Sequence, residues 1–156
     1  MYPDRKFMEA AIEEAVMARE AGDYAIGAVI VRDGNILARG GNRVKRDNDP
    51  TAHAEMVAIR EASTALDMRH LERGILYTTH EPCPMCATAA VWARMDGIVY
   101  GARIEDFIRY EEAHANEEWA WRSMNIPASE ILDKGNPKLW YVGEFMIEEC
   151  LRLFHS

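Results

Sequence analysis

The stretch ILYTTHEPCPMCATAAVWAR, residues 75–94, decides the fold. Residues 75–80 form a short apolar run of the kind that makes a buried strand. A Glu-Pro pair at 81–82 ends this run, and we expect a helix from residue 83 or 84 to residue 94. A strand that passes directly into a helix is the repeating unit of an α/β domain.

The same alternation continues toward the N-terminus. Apolar residues at 8, 11, 12 and 15 share one helical face, which predicts a helix over residues 4–21, ended by Gly22. Two strand-like runs follow at 25–31 and 36–42, and Asp33-Gly34 between them is a hairpin signal. A second helix is predicted over residues 52–66.

The C-terminal third is less regular. Strands are expected at 97–102 and 139–143, and a closing helix at 144–154. The intervening residues 104–134 are charged and aromatic, and we expect them to be helical only in part. These elements predict an α/β fold with helices packed on a mixed sheet, and 156 residues is the length of one domain.

The composition is that of an ordinary globular protein, with 49% apolar and 28% charged residues. No apolar run approaches the ~20 residues of a membrane helix, and the charged start is unlike a secretory signal. We therefore expect a cytoplasmic protein without a membrane partner. Three cysteines are an odd number, so a disulfide framework is not expected.

The net charge of −8 argues against a broad polyanion-binding surface, because phosphate binding needs a surplus of Lys and Arg. Arg43, Lys45 and Arg46 form a local basic strip that could contact a phosphate. A solvated loop is the simpler interpretation of these three residues. The last predicted helix is acidic, since Glu144, Glu148 and Glu149 outnumber Arg152.

Three residues have the spacing of a metal site. Cys83 and Cys86 form a C-x-x-C pair at the start of a helix, where the first turn brings residues i and i+3 together. His53 begins another predicted helix and supplies a third ligand. Three protein ligands with a free fourth position are typical of catalytic zinc, whereas structural zinc usually has four. Helix N-termini favour the thiolate and the neutral imidazole that bind metal.

Glu55 follows His53 by two residues, which on a regular helix turns it away by roughly 200°. In a first turn, local geometry can still bring both side chains to one pocket. Glu55 would then accept and redeliver the proton of a metal-activated water. Ala54, Ala58 and Ala62 recur every four residues, which predicts close packing of this helix against the one that carries the cysteines.

The segments HAE at 53–55 and PCPMC at 82–86 resemble the cytidine-deaminase superfamily of zinc-dependent base deaminases, whose signature is H-x-E followed by P-C-x-x-C. The resemblance implies a three-layer α/β/α domain over residues 1–156 with a central mixed five-stranded sheet. It also implies one Zn²⁺ per chain on His53, Cys83 and Cys86, with Glu55 as the catalytic proton carrier.

Within the superfamily, DPTAHAE, LYTTHEPCPMC and WAR most resemble guanine deaminases of the cytidine-deaminase type, and tRNA adenosine deaminases come next. The resemblance assigns substrate contacts to Asn42, Trp92 and the backbone N–H groups of Ala54 and Cys83. It also implies a homodimer. Ala25 departs from the pattern because it replaces a proline, and the residues after 102 do not match securely.

Each assignment has an alternative. The cysteine pair could be a redox pair, or a structural zinc site with His80 as fourth ligand. Trp92 shares a helical face with Met85 and Ala89, so it could equally pack in the core or at a subunit interface. Asn42 could simply cap a turn. Three later aromatics fit the core better than the pocket wall, namely Tyr110, Trp119 and Trp121, and Cys150 is expected to be buried on an apolar helical stripe.

Three functions remain open from the sequence. The first is deamination of a free base, above all guanine to xanthine, and the charge balance favours it. The second is deamination of adenosine in tRNA, or of a nucleoside or cytosine. The third is a zinc module without enzymatic activity. Acidic groups that handle protons in guanine deaminases have several candidate counterparts here: Asp106, Glu111, Glu112 and Glu144.

Overall fold

The computed structural model describes residues 3–154 and contains the predicted alternation of strands and helices. In chain order the elements are α1 Arg5–Glu20, β1 Gly27–Arg32, β2 Asn35–Gly41, α2 Ala54–Leu66, β3 Ile75–His80, α3 Pro84–Trp92, β4 Gly97–Ala102, α4 Ile104–His114, α5 Ala128–Leu132, β5 Trp140–Val142 and α6 Ile147–Leu151, followed by a 3₁₀ turn Arg152–Phe154. Within residues 3–154, no helix is both long and apolar enough to cross a bilayer.

The sheet has the strand order β2-β1-β3-β4-β5. β1 pairs antiparallel with β2 and with β3, whereas β3–β4 and β4–β5 are parallel. The hairpin between β1 and β2 turns at Asp33 and Gly34, whose φ angles are 52° and 79°. Two consecutive positive φ angles are typical of the type I′ turn that Asp-Gly favours. The mixed five-stranded sheet is therefore confirmed.

Alternate residues of each strand face opposite layers. Val29, Tyr77 and Val99 contribute to a core cluster with residues of α1, α4 and α6. Ile30 and Ile98 contribute to a second cluster with residues of α2, α3 and α5. This period-two separation produces the three-layer α/β/α arrangement that the sequence predicted.

Two glycines let helices approach the hairpin closely. A Cβ at Gly27 would lie 2.0 Å from the carbonyl oxygen of Ala11 in α1, and one at Gly40 would lie 2.5 Å from that of Ala54 in α2. The alanine stripe of α2 therefore packs mainly on the hairpin strands, and its contact with α3 is smaller. The sequence predicted that this stripe packs against the helix that carries the cysteines. That contact exists, but it is smaller than the contact with the hairpin strands.

The C-terminal third shows where sequence periodicity is weak. The closing helix begins at Ile147, three residues later than expected, because Glu144 and Met146 adopt positive φ angles of 62° and 53°. The charged region resolves into α4 and α5, with irregular backbone at residues 115–127. Cys150 is fully buried in the first cluster, as predicted.

Candidate active site

Three side chains from two helix N-termini converge on one point. His53 is the N-cap of α2 and Cys83 the N-cap of α3, and Cys86 lies in the first turn of α3. The Nδ1 of His53 is 3.5 Å from the Sγ of Cys83 and 3.6 Å from that of Cys86. All three ligand atoms lie within 4.8 Å of one another. One imidazole nitrogen and two sulfurs form a donor set that fits Zn²⁺.

The protonation of this group prepares it for a cation. The hydrogen bond from Cys86, followed by that from His53, lowers the pKa of Cys83 to about 4, so Cys83 is a thiolate. The same bond raises the pKa of Cys86, because its proton stabilises the neighbouring thiolate. The bond to Cys83 also raises the pKa of His53. Hydrogen bonds among the three side chains hold the ligand atoms close together. A bound metal ion would take the place of the shared protons.

His80 is not a fourth ligand. Its Nδ1 pairs with the hydroxyl of Thr79 at 2.6 Å, and its ring is enclosed by Phe107, Trp121 and Phe154. Complete burial lowers the pKa of His80 to about 3, so the imidazole is neutral. Among residues 3–154, the group able to hold a metal comprises His53 and the two cysteines alone. The geometry is that of a three-ligand centre.

Glu55 lies beside this centre and is 4% exposed. His53 precedes the helix in an extended conformation, with φ −66° and ψ 152°, so the regular rotation between the two residues does not apply. Burial raises the pKa of Glu55 to about 7, while the charge of His53 lowers it. A carboxyl group with this pKa can both accept and donate a proton near neutral pH.

A cavity of about 450 Å³ opens next to His53. The first half of the chain supplies part of its wall, and the irregular segment after α4 supplies the rest. The lining residues are Tyr24, Ile26, Asn42, Val44, Pro50, His53, Glu117, Glu118, Ala120, Trp121 and Arg122. Of the predicted substrate contacts, Asn42 lies in this wall. Ala54, the residue that follows His53 in the chain, is fully buried.

Trp92 lies elsewhere. Its side chain is 76% exposed at the end of α3, and it lines a separate groove with Arg69 and Pro137. The structure therefore does not bring Trp92 to the cavity beside His53. Trp121, which the sequence assigned to the core, is buried and also lines that cavity.

The irregular segment that forms the far wall, residues 115–126, is anchored to Tyr24. The hydroxyl of Tyr24 accepts the backbone N–H of Ala120 at 3.1 Å and donates to its carbonyl at 3.2 Å. Trp119 and Trp121 both pack edge-on against the Tyr24 ring, with centroids 5.0 and 5.2 Å away. Sequence reasoning missed this wall, because its two sides lie 96 residues apart; the only local signal was the aromatic density at 119–121.

The basic strip is engaged within the chain. Arg43 forms a bidentate pair with Asp47. The ammonium of Lys45 donates to the carbonyl of Glu118 at 2.8 Å and lies 4.2 Å from the centre of the Trp119 ring. The guanidinium of Arg46 donates to the carbonyl of Asn42 at 2.6 Å.

Four acidic residues were candidates for proton handling, and none of them lines the cavity beside His53. Asp106 accepts the backbone N–H of Arg103 at 2.8 Å and so caps α4. Glu144 pairs with the same arginine, Glu112 is exposed, and one carboxylate oxygen of Glu111 is buried without a partner among residues 3–154. The acidic residues that do line the cavity are Glu117 and Glu118.

Comparison with known proteins gives consistent results. Residues 1–102 match the family described as the cytidine and deoxycytidylate deaminase zinc-binding region. The guanine deaminase of Bacillus subtilis is 44% identical over 117 residues, covering 75% of this chain and 72% of that protein. The tRNA-specific adenosine deaminase of Aquifex aeolicus is 37% identical over 141 residues, covering 85% and 93%.

A solved structure from work on A-to-I editing by tRNA:A34 deaminases superimposes with a TM-score of 0.77 at 34% identity, covering 96% of this chain and 99% of that one. Some relatives are much longer. The chain spans 8% of the chloroplastic tRNA(adenine(34)) deaminase of Arabidopsis thaliana, with 50% identity over 99 residues.

Proposed function

The chain belongs to the family of the cytidine and deoxycytidylate deaminase zinc-binding region, and we propose that it is a hydrolytic deaminase of a free nucleobase, guanine or a related aminopurine. With guanine the product is xanthine and the reaction is a step of purine metabolism. One domain over residues 1–156 would carry this activity, since both core clusters rest on the same five-stranded sheet.

His53, Cys83 and Cys86 hold one Zn²⁺ per chain. When bound, Zn²⁺ would supply a water of lowered pKa next to Glu55. The centre explains why a histidine and two cysteines meet at two helix N-termini.

Glu55 is the catalytic residue that moves the protons. Its carboxylate accepts a proton from the attacking water and delivers it to a ring nitrogen of the base. The water oxygen bonds to the amino-bearing ring carbon in this first step. Glu55 then passes the second proton of the water to the amino group, the C–N bond breaks, ammonia leaves and the ring carbonyl forms. A pKa of about 7 suits both directions of transfer. The first N–H of α2, at Ala54, has no acceptor within its own helix and is available to the base.

The charge of the cavity wall carries the choice of a free base over an RNA. The cavity lining includes two acidic residues, Glu117 and Glu118, and one arginine, Arg122. If the substrate base is part of an RNA, the neighbouring phosphates lie at the opening of this cavity. The negative charges of the two glutamates would repel them there. Of the cations that could compensate, Arg43 is paired with Asp47 and Arg46 lies 3.6 Å from Asp23, whereas Lys45 donates to a neutral carbonyl.

Deamination of adenosine in tRNA is the second candidate, because a specific observation favours it. The Aquifex aeolicus tRNA-specific adenosine deaminase aligns over 93% of its length, and the A34-deaminase structure over 99%. The guanine deaminase alignment covers 75% of this chain and 72% of that protein, so it leaves a larger share of both unmatched.

A homodimer is part of this proposal. Trp92 and Met68 are exposed by 76% and 47%, and Trp92 lines an open groove on the α3 side. An exposed tryptophan of this kind is typical of interface anchors, which supports an interface position for Trp92 in place of a substrate contact. A cytoplasmic location is supported by the two cysteine ligands, since reducing compartments preserve thiolates.

The test is an ammonia-release screen with zinc-loaded protein over guanine, isoguanine, adenine, cytosine, their nucleosides and a tRNA anticodon stem-loop. We expect release from guanine or isoguanine. Release from the stem-loop alone would establish the second candidate and contradict the first. No release from any compound, with zinc bound, would support the zinc module without enzymatic activity.

A further inference from the structure

Asp23 is a fully buried carboxylate whose hydrogen-bond neighbours are all N–H donors. Its Oδ1 accepts the backbone N–H of Tyr24 at 2.9 Å and the side-chain Nδ2 of Asn42 at 3.1 Å. Its Oδ2 accepts the backbone N–H groups of Lys45 and Arg46, each at 3.0 Å, and lies 3.6 Å from the Nε of Arg46. No step of the deamination described above uses this group.

These contacts determine which end of the Asn42 amide is free. Asn42 offers a donor end, Nδ2, and an acceptor end, Oδ1. With Nδ2 toward Asp23 the pair has a proton to share, whereas the reversed amide would place two acceptors against each other. The backbone of Asn42 is held as well, because its N–H donates to Ile26 at 3.0 Å and its carbonyl accepts from Arg46 at 2.6 Å.

The acceptor end of the Asn42 amide has no hydrogen-bond partner among the described residues 3–154. Asn42 lines the cavity beside His53, and no group among residues 3–154 donates to its Oδ1, which is shielded from solvent. Buried acceptors in native proteins are almost always paired, so the missing donor is expected to arrive with a ligand.

We propose that Asp23 is a positioning residue that orients the Asn42 amide so that its oxygen meets the substrate, and that the site therefore selects a base that presents a ring N–H. The proposal rests on the proposed function, in which this cavity holds the base. Free guanine carries a ring N–H in each of its two rings. Adenosine carries none, because its ring nitrogens offer lone pairs or bear the sugar. At a contact with a ring nitrogen, the Asp23–Asn42 pair therefore favours guanine over adenosine.

The decisive variant is Asp23→Asn. An amide at position 23 can turn its NH₂ group toward Asn42, which then reverses and offers a donor to the cavity. We expect the KM for guanine to rise by about tenfold while the inhibition constant of adenosine falls, since its ring acceptors gain a partner. If the variant only lost structure, the binding of guanine and the binding of adenosine would weaken together.

A reciprocal double variant, D23N with N42D, restores the original polarity. The amide at position 23 then donates to the carboxylate at position 42, which keeps an oxygen for the ligand. Both constants should return toward their wild-type values. Asp47→Asn is the matched control, because Asp47 is an exposed partner of Arg43 outside the cavity wall, and it should move neither constant.

A readout independent of turnover separates this proposal from the proposed function. In the wild-type protein the side-chain NH₂ protons of Asn42 should exchange slowly with solvent, as measured by NMR, and Asp23→Asn should accelerate their exchange. Unchanged exchange in Asp23→Asn, or a KM and an inhibition constant that rise together, would overturn the positioning role. Absence of ammonia release by the wild-type protein would instead overturn the proposed function, while the exchange measurement still tests Asp23.

Discussion

The Nδ1 of His53 lies 3.5 Å from the Sγ of Cys83, although thirty residues separate them in the chain. Each residue is the N-cap of its helix, so neither is constrained by helical periodicity, and each can point away from its helix axis. The contact brings together the N-termini of α2 and α3, whose partial positive charge favours the thiolate that a metal needs. The metal centre and the proposed role of Glu55 as proton carrier both depend on this contact.

Loss of any ligand should abolish zinc binding. We expect His53→Ala, Cys83→Ser and Cys86→Ser to be purified with well below one zinc per chain, because two remaining ligands leave the ion's shell half open. Cys150→Ala is the matched control, since Cys150 is buried in the other layer of the molecule. The measurement is metal content by atomic emission, together with the unfolding temperature. Full zinc occupancy in any ligand variant would refute the three-ligand centre.

Glu55→Gln should keep zinc and lose turnover. Gln has the size of Glu but cannot carry a proton, so we expect ammonia release to fall by about 10²–10⁴-fold. Glu61→Gln, an exposed change on the same helix, should leave the rate unchanged. Near-normal activity of zinc-loaded Glu55→Gln would remove the proton-carrier role.

His80 should make the protein sensitive to acid. Its folded-state pKa is about 3, below the ordinary value of 6.5, because burial disfavours the charged ring. Below pH 6.5 the His80 ring is protonated in the unfolded chain but stays neutral in the folded chain. The free energy of unfolding therefore falls as the pH falls below 6.5. The loss is about 1.6 kcal/mol between pH 6.5 and pH 5. Denaturant titrations of wild type and His80→Phe across this range should differ by this amount; equal pH dependence would contradict it.

The hydroxyl of Tyr24 should contribute to the cavity wall as well as to stability. Tyr24→Phe removes both hydrogen bonds to Ala120, so we expect a loss of about 1 kcal/mol in unfolding free energy and a KM raised by about fivefold. Tyr141→Phe removes a hydroxyl bond to Asp133 at the surface and serves as control. If Tyr24→Phe changes stability but not KM, the anchored wall does not bear on substrate binding.

The elements predicted most accurately from sequence were those with short, local signals. Residues 75–80 and 97–102 form strands with the predicted limits, since apolar runs bounded by turn residues depend on neighbouring positions alone. The closing helix was predicted too long, because Met146 adopts a positive φ that no local pattern announced. Residues 115–127 follow no period, and their path is set by Tyr24 and Lys45, far upstream.

The sequence by itself predicted the group of His53, Cys83 and Cys86 that the structure brings together, with Glu55 beside it. A C-x-x-C pair at a helix start and a His-x-Glu at another have fixed local geometry, and their side-chain chemistry restricts what they can hold. Tertiary structure alone decided the rest of the site. It buried Asp23 against Asn42, closed the cavity with Trp121, enclosed His80 in aromatic rings and left Trp92 on the surface. These contacts join residues from separate elements, and only the packing of helices on both faces of the sheet brings them within reach.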